Sequence, residues 1–156
     1  MSGRRARGDL SVRSMTKVHR SAIVPRPAET MFGLVDRVED YPARFAWCTG
    51  AVVLERSDTV VVARLDLRHA GLATSFTTRN ARIPHELIEM QLVDGPFSRL
   101  EGAWRFRPLG AAGSKVTLDL EYAVSNTLLG SALALGFRSI ADRMVDDFVR
   151  AALTGA

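Results

Sequence analysis

The sequence predicts an α+β fold in which a largely antiparallel sheet packs against one long C-terminal helix. Between residues 49 and 124, apolar and polar side chains alternate with a period of two, in segments separated by short turns. This pattern is typical of an antiparallel meander with one dry face and one wet face. Between residues 126 and 153 the apolar period changes to three or four residues, the spacing of an amphipathic helix. The 156 residues, 47% of them hydrophobic, suffice for one domain with a packed core.

A strand and a helix are predicted before the meander. Residues 18–24 are rich in β-formers and predict the first strand. Residues 28–38 predict a helix, since Pro27 suits its first turn. Residues 40–42 are expected to end this helix, and a further short helical turn is expected through residues 45–47.

The meander is predicted to contain six strands, each with its apolar residues on one face. The expected strands are residues 51–54, 59–68, 72–83, 86–93, 100–108 and 115–124. Gly50 and Gly102 are candidate bend or bulge positions, because glycine weakens a regular strand.

The C-terminal helix is predicted to carry one apolar stripe that faces the sheet. The stripe consists of Leu129, Leu133, Phe137, Ile140, Met144 and Phe148, and the residues off it are Asp142, Arg143, Asp147 and Arg150. Residues 128–137 offer no polar face and include Gly130 and Gly136. We therefore expect this half of the helix to line or gate an opening.

Positive charge is concentrated in the N-terminal segment. Residues 1–15 hold four arginines and one aspartate, a net charge of +3, out of +4 for the whole chain. We expect a disordered basic tail over residues 1–15 and one folded domain over residues 16–154. Cys48 is the only cysteine, which excludes an intrachain disulfide and fits a reducing compartment. No apolar run is long enough to span a membrane, so a cytoplasmic protein is expected, at most peripheral at the inner membrane.

The residue pattern favours binding over catalysis. The three histidines are scattered without metal-ligand spacing, and no ionisable residue interrupts the apolar strand faces. We therefore predict no enzymatic activity, no catalytic or metal-binding residues and no cofactor. A cavity between sheet and helix would hold a lipid, quinone or sterol-like molecule by burial. The alternative is that the same apolar faces form a filled core.

Several segments resemble the coenzyme-Q-binding START-like family, within the polyketide cyclase/dehydrase-like superfamily that includes the RatA ribosome-association toxin branch. They are residues 18–22, 38–42, 47–50, 76–80, 90–97, 104–106 and 118–120. The resemblance implies a helix-grip (START/Bet v 1-like) fold, in which a curved seven-stranded antiparallel sheet wraps around the long C-terminal helix. It also implies a hydrophobic tunnel between sheet and helix, and a role in ubiquinone binding and respiration or in association with the ribosome.

Two functions are therefore expected, neither of which needs catalysis. The first is binding of ubiquinone or another polyprenyl lipid in support of respiratory electron transport. Its expected wall residues are Leu65, Phe76, Met90, Leu92, Leu100, Trp104, Leu118, Leu129, Leu133 and Phe137, and its expected tunnel rim is Trp47, Val93, Pro96 and Phe97. The alternative is a regulator that binds the 50S ribosomal subunit and blocks subunit joining. Its expected RNA contacts are the basic tail with Arg79, Arg82, Arg99, Arg105 and Arg107, whereas DNA is not an expected partner.

Overall fold

The chain forms a single antiparallel sheet that curves around one long helix, as the α+β helix-grip prediction required. The structure is a computed structural model that describes residues 15–125 and 130–154. The predicted basic tail and the predicted start of the last helix, including Leu128 and Leu129, lie outside these residues. The strands are β1 (Thr16–Val24), β2 (Cys48–Arg56), β3 (Val60–His69), β4 (Leu72–Ile83), β5 (Leu87–Asp94), β6 (Phe97–Leu109) and β7 (Gly113–Val124). The helices are α1 (Ala28–Asp36), α2 (Tyr41–Arg44) and α3 (Gly130–Leu153), with a 3-10 turn at Val38–Asp40.

The sheet order is β1-β7-β6-β5-β4-β3-β2. The six strands of the meander pair in succession, and β1 pairs with β7 at the far side. This arrangement confirms the meander, and β4 has the predicted bounds. β2 extends beyond the predicted residues 51–54 at both ends. Its pairing with β3 shifts register between Cys48 and Gly50 and between Val53 and Glu55. Such shifts interrupt the period-two alternation from which the strand was predicted.

The segment after the first strand departs from prediction in two respects. The helix predicted to residue 38 ends at Asp36, where the Arg37 amide bonds the Gly33 carbonyl. The next helical turn is α2, at Tyr41–Arg44, rather than at residues 45–47. Pro42 therefore lies in the first turn of a helix instead of breaking one, a position in which its missing N–H costs nothing.

The two glycines predicted to bend the sheet have different roles. Gly50 lies beside a register shift and confirms the bulge prediction. Gly102 pairs in regular register with Met90 and Leu120, so the bulge prediction is wrong there. A Cβ on Gly102 would lie 2.5 Å from the Asp119 carbonyl oxygen. This glycine therefore permits a close backbone approach between β6 and β7.

The core lies between the inner sheet face and α3. The predicted stripe of α3 is confirmed, since Leu133, Phe137, Ile140 and Phe148 are buried and Met144 packs against the core. The opposite side of the first half of α3 is exposed, and Leu135 on that side is 71% exposed. A Cβ on Gly136 would lie 2.5 Å from Cδ2 of Leu72, so this glycine lets the start of β4 pack closely on the helix. The gating role of this half of the helix stays a prediction. None of the described helices is long and apolar enough to cross a membrane.

Candidate functional site

The first concavity is an internal cavity of about 60 Å³ between the sheet and α3. Seven of the predicted wall residues line it: Leu65, Phe76, Met90, Leu100, Trp104, Leu118 and Phe137. Leu92 packs against the core without lining the cavity, and Leu133 is a buried residue of α3 that does not line it either. Leu129 lies outside the described residues.

The predicted rim residues do not come together around one opening. Phe97 is buried against Phe76 and Phe137, at ring-centroid distances of 5.7 and 5.0 Å. The Pro96 carbonyl accepts the Ser125 amide, Val93 is exposed, and Trp47 belongs to a different concavity. The structure thus brings most wall residues together but gives this cavity no mouth built from the predicted rim.

Sequence analysis missed the polar end of the cavity. Thr78 and Asn80 line it and are buried, and the Thr78 hydroxyl donates to the Asn80 Oδ1 at 2.9 Å. Both side chains share a face with Phe76, because Thr78 pairs with Ala63 and Asn80 with Val61, two buried positions of β3. The period-two alternation that starts at Phe76 could have predicted that residues 78 and 80 face the interior. Because residues 77–80 are all polar, no contrast between apolar and polar positions revealed this alternation.

A carboxylate, that of Asp36, also lines the cavity, although no ionisable residue interrupts the apolar strand faces. Asp36 enters from α1 rather than from a strand, so strand alternation gave no sign of it. Arg82 binds it through two hydrogen bonds, Nε to Oδ1 at 2.7 Å and Nη2 to Oδ2 at 2.8 Å. Arg56 adds a third contact at 3.3 Å. The bidentate geometry fixes Asp36 as a clamp between α1 and the sheet.

The cavity volume decides what the interior can hold. About 60 Å³ accommodates a few water molecules, whereas pockets for small-molecule ligands measure about 300–1,000 Å³. In this conformation the inner faces of the sheet and helix therefore form a nearly filled core, and a polyprenyl quinone has no room without movement of the walls.

The second concavity is open to solvent and measures about 560 Å³. It lies between the segment following α2, the β3–β4 hairpin and the C-terminal half of α3. We call it the arginine cleft. Its lining residues are Arg44, Phe45, Ala46, Trp47, Arg68, His69, Ala70, Gly71, Arg143, Asp147, Arg150, Ala151 and Thr154. Four arginines against one aspartate give the lining a net charge of +3.

Asp147 organises the floor of the arginine cleft. Its Oδ2 accepts the indole Nε1–H of Trp47 at 2.9 Å. Arg143 and Arg150 approach the same carboxylate at 3.5 and 3.2 Å. The Asp147 side chain is only 10% exposed, whereas the two arginine side chains are 51% and 69% exposed. The aspartate therefore anchors two solvent-facing guanidinium groups to the helix surface.

The aromatic residues of the cleft are covered. The rings of Trp47 and Phe45 stack at 4.9 Å between centroids with an interplanar angle of 6°. Phe148 packs edge-on against Phe45, and both Trp47 and Phe45 are at most 5% exposed. These rings therefore stabilise the junction of α2 and β2 and offer no open face for stacking a ligand.

The β3–β4 hairpin forms the opposite wall of the cleft. His69 pairs with Leu72, and Ala70 and Gly71 between them have φ values of 50° and 82°. Two successive left-handed residues are typical of a tight type I′ turn, in which glycine suits the second position. The Arg68 amide donates to the Trp47 carbonyl at 2.9 Å, and His69 Nε2 lies 3.0 Å from the Ser139 hydroxyl. The first bond holds the hairpin against the segment that follows α2, and the second holds it against α3.

The arginines predicted from sequence to contact RNA lie on two strands, β4 and β6, and three of the five pair with carboxylates. Arg82 is bound to Asp36, and Arg105 lies 3.8 Å from Asp119. Arg99 is paired with acidic neighbours on β6 and β7. Arg79 and Arg107 are exposed on separate strands. Sequence analysis missed the cleft arginines as a group because they come from three separate segments, α2, β3 and α3.

The single thiol is not activated as a nucleophile. Burial raises the pKa of Cys48 to about 11, a hydrogen bond with the Gly50 backbone partly offsets this, and the nearby Asp66 carboxylate raises the pKa further. A thiol with so high a pKa is almost wholly protonated at neutral pH. Residues 15–125 and 130–154 contain no group of three His, Cys, Asp or Glu side chains placed to hold a metal ion.

Comparison with known proteins gives both sequence relatives and structural neighbours. The family described as polyketide cyclase/dehydrase and lipid transport matches residues 24–149. The ribosome association toxin RatA of Pseudomonas aeruginosa is 40% identical over 137 residues, which cover 88% of this chain and 95% of that protein. RatA of Vibrio cholerae is 43% identical over 138 residues, covering 88% and 96%. The crystal structure of the Zhui aromatase/cyclase from Streptomyces sp. R1128 superposes with a TM-score of 0.76 at 20% identity, over 88% of this chain and 93% of that one.

Proposed function

The chain belongs to the polyketide cyclase/dehydrase and lipid transport family, and we propose that it is a non-enzymatic protein that associates with the ribosome. The observation that carries this proposal is the match to two ribosome association toxins at 40% and 43% identity, over 95% and 96% of their lengths. In its finer form the proposal is that the protein binds the 50S subunit and blocks subunit joining.

Two features of the described residues support a role in surface binding. The internal cavity of about 60 Å³ leaves little room for a ligand, whereas the arginine cleft of about 560 Å³ is open and positively charged. Ribosomal RNA is an extended polyanion, so a cationic concavity on a small protein complements it.

Sucrose-gradient co-sedimentation with purified 30S and 50S subunits tests the proposal. We expect the full-length protein to migrate with 50S subunits at both low and physiological salt. The 30S subunit is the control, since nonspecific attraction of a basic chain to RNA would retain the protein on both subunits equally. A protein that stays at the top of the gradient, or binds both subunits alike, contradicts the proposal.

A second candidate function is binding of ubiquinone or another apolar ligand inside the domain. It is favoured by the apolar cavity wall and its polar end at Thr78 and Asn80, where a ligand carbonyl could accept an amide hydrogen bond. Binding requires the walls to move apart, because the cavity measures only about 60 Å³. Organic extraction and mass spectrometry of the purified protein should then detect bound quinone. A protein that is empty and cannot be loaded with ubiquinone contradicts this candidate.

A further inference from the structure

We propose that the arginine cleft is an RNA-backbone site in which Arg68, Arg143 and Arg150 bind phosphates of a single-stranded or looped segment. The inference deepens the proposed ribosome association, on which its biological setting rests, by naming the surface and the partner chemistry. The site is sequence-independent, because its contacts are to phosphate groups rather than to base edges.

The arginines of the cleft carry N–H donors that have no partner among the described residues. Arg143 and Arg150 share the single carboxylate of Asp147, although each guanidinium carries five N–H donors. Arg68 is exposed and makes no ion pair with any residue in the described ranges. Guanidinium groups bind phosphate oxygens through paired, parallel hydrogen bonds. The cleft thus presents several such groups from two facing walls toward one concave volume.

The shape and lining of the cleft favour a nucleic-acid backbone over a lipid surface. A face that inserts into a membrane carries exposed apolar side chains, and none of the large apolar residues that are exposed in the described ranges lines this cleft. The aromatic pair Trp47 and Phe45 is stacked on itself and buried, so base stacking is not offered either. Phosphate recognition is therefore the chemistry that remains for a concavity of about 560 Å³ with a net charge of +3.

α3 carries two ion pairs of similar geometry and exposure, and only one of them lies in the cleft. Arg143 Nε lies 3.5 Å from Asp147, and the Arg143 side chain is 51% exposed. Arg138 Nε lies 3.6 Å from Asp142, with the Arg138 side chain 50% exposed. Both are i,i+4 pairs on α3, but neither Arg138 nor Asp142 lines the cleft. Substitutions at the second pair change net charge by the same amount while leaving the cleft intact.

Fluorescence anisotropy with a labelled oligouridine of about twelve nucleotides measures the binding, using the full-length chain at several salt concentrations. We expect Arg143→Ala and Arg150→Ala each to weaken binding roughly three- to tenfold and to reduce the slope of log K against log salt by about 1. The matched control Arg138→Ala should stay within about twofold of the unsubstituted protein. Circular dichroism checks that each variant is folded.

A gain of affinity provides a test that misfolding cannot imitate. Asp147→Asn removes the one negative charge from the cleft, while the amide oxygen can still accept the Trp47 indole N–H. We expect it to strengthen RNA binding roughly two- to fivefold, because the lining then carries one more net positive charge. Asp142→Asn is the control for general charge, and we expect it to change binding less than Asp147→Asn.

The outcomes separate this inference from the proposed function. Equal losses in Arg138→Ala and Arg143→Ala, equal gains in Asp142→Asn and Asp147→Asn, or no RNA binding by the unsubstituted protein would each overturn the cleft assignment. Co-sedimentation with 50S subunits that survives all cleft substitutions would overturn it while leaving ribosome association in place. RNA binding that depends on the cleft, without any association with 50S subunits, would uphold the cleft and refute the proposed function.

Discussion

The internal cavity and the arginine cleft are built on the same helix, yet they differ in size, exposure and chemistry. The cavity measures about 60 Å³ and is walled mainly by apolar residues, whereas the cleft measures about 560 Å³ and carries four arginines. Phe137 and Phe148 face the interior, while Arg143 and Arg150 line the cleft. The difference shows that α3 has two distinct faces: one fills the core, and another presents charge to solvent. Substitutions on the two faces should therefore have separable effects.

The largest expected effect is on the cavity side. Phe137→Ala should lower the free energy of unfolding by about 3–5 kcal/mol, because it removes a buried ring that contacts three other aromatic residues. Leu135→Ala, two residues away and 71% exposed, is the control and should change stability by less than about 0.5 kcal/mol. Urea denaturation measures both. A similar small change in the two variants would mean that the interior is loose rather than packed.

A second comparison concerns two glycines that permit close packing. Gly102→Ala should lower the free energy of unfolding by about 2–3 kcal/mol, because the new Cβ would lie 2.5 Å from the backbone oxygen of Asp119. That oxygen cannot move without disturbing the sheet. Gly136→Ala should cost less than about 1 kcal/mol, because the obstructing atom is the end of the Leu72 side chain and alanine favours the helix. Thermal denaturation of both variants measures the difference. The reverse order would contradict the view that the Leu72 side chain can move aside whereas the Asp119 backbone cannot.

A smaller effect is expected where the core meets the cleft. Trp47→Phe keeps an aromatic ring but removes the indole N–H that binds Asp147. It should lower the free energy of unfolding by about 1 kcal/mol. Asp147 keeps its contacts with Arg143 and Arg150, so its carboxylate is not left unpaired. In an Asp147→Ala background, Trp47→Phe should cost less than in the unsubstituted protein. Equal costs in both backgrounds would show that the hydrogen bond contributes nothing.

The effect that is smallest at neutral pH is a pH dependence at the edge of the core, since it develops only above pH 9. The pKa of Cys48 is raised to about 11 by burial, above an ordinary value of 9.0. The folded state therefore keeps the thiol protonated, and this contribution to stability is fully present below pH 9 and is lost as the pH rises from 9 to 11.

Urea denaturation of the unsubstituted protein and of Cys48→Ala at several pH values measures this contribution. Their difference in unfolding free energy should narrow by up to about 1.4 kcal/mol per pH unit in that interval. Burial also raises the pKa of Tyr41 and of Tyr122. The free energy of unfolding should therefore decline further with rising pH in both the unsubstituted protein and Cys48→Ala. A difference that stays constant between pH 9 and 11 would contradict the assignment to Cys48.

Much of the fold was predictable from the sequence because its signals are local. β4 has the predicted bounds, and the stripe at Leu133, Phe137, Ile140 and Phe148 is buried as the helical period requires. The errors lie where local signals fail. The edge strand β2 loses its alternation at two register shifts, and Pro42 starts a helical turn that its residue type alone predicts as a break.

The candidate sites were less predictable because they depend on distances in space. Seven of the ten predicted wall residues do line one cavity, but the number of apolar residues says nothing about how closely their side chains interpenetrate. Asp36 reaches the same cavity from a helix, and Asn80 reaches it from a strand whose polar residues hid its inward face. The rim residues and the arginines expected to contact RNA were chosen from residue type without knowledge of which strands meet.

The sequence by itself determined the order of the elements and the face that each one buries, because periods of two and of three to four residues report the backbone locally. The helix-grip architecture followed from the resemblance of several segments to a known family. Tertiary structure alone decided the volume of the interior and the existence of the arginine cleft. Arg44, Arg68, Arg143 and Arg150 are separated by as many as 106 positions in the chain, and only the packing of the β3–β4 hairpin and of the segment after α2 against α3 places them around one opening. Coulomb attraction to a ligand depends on such distances in space and not on distance along the sequence.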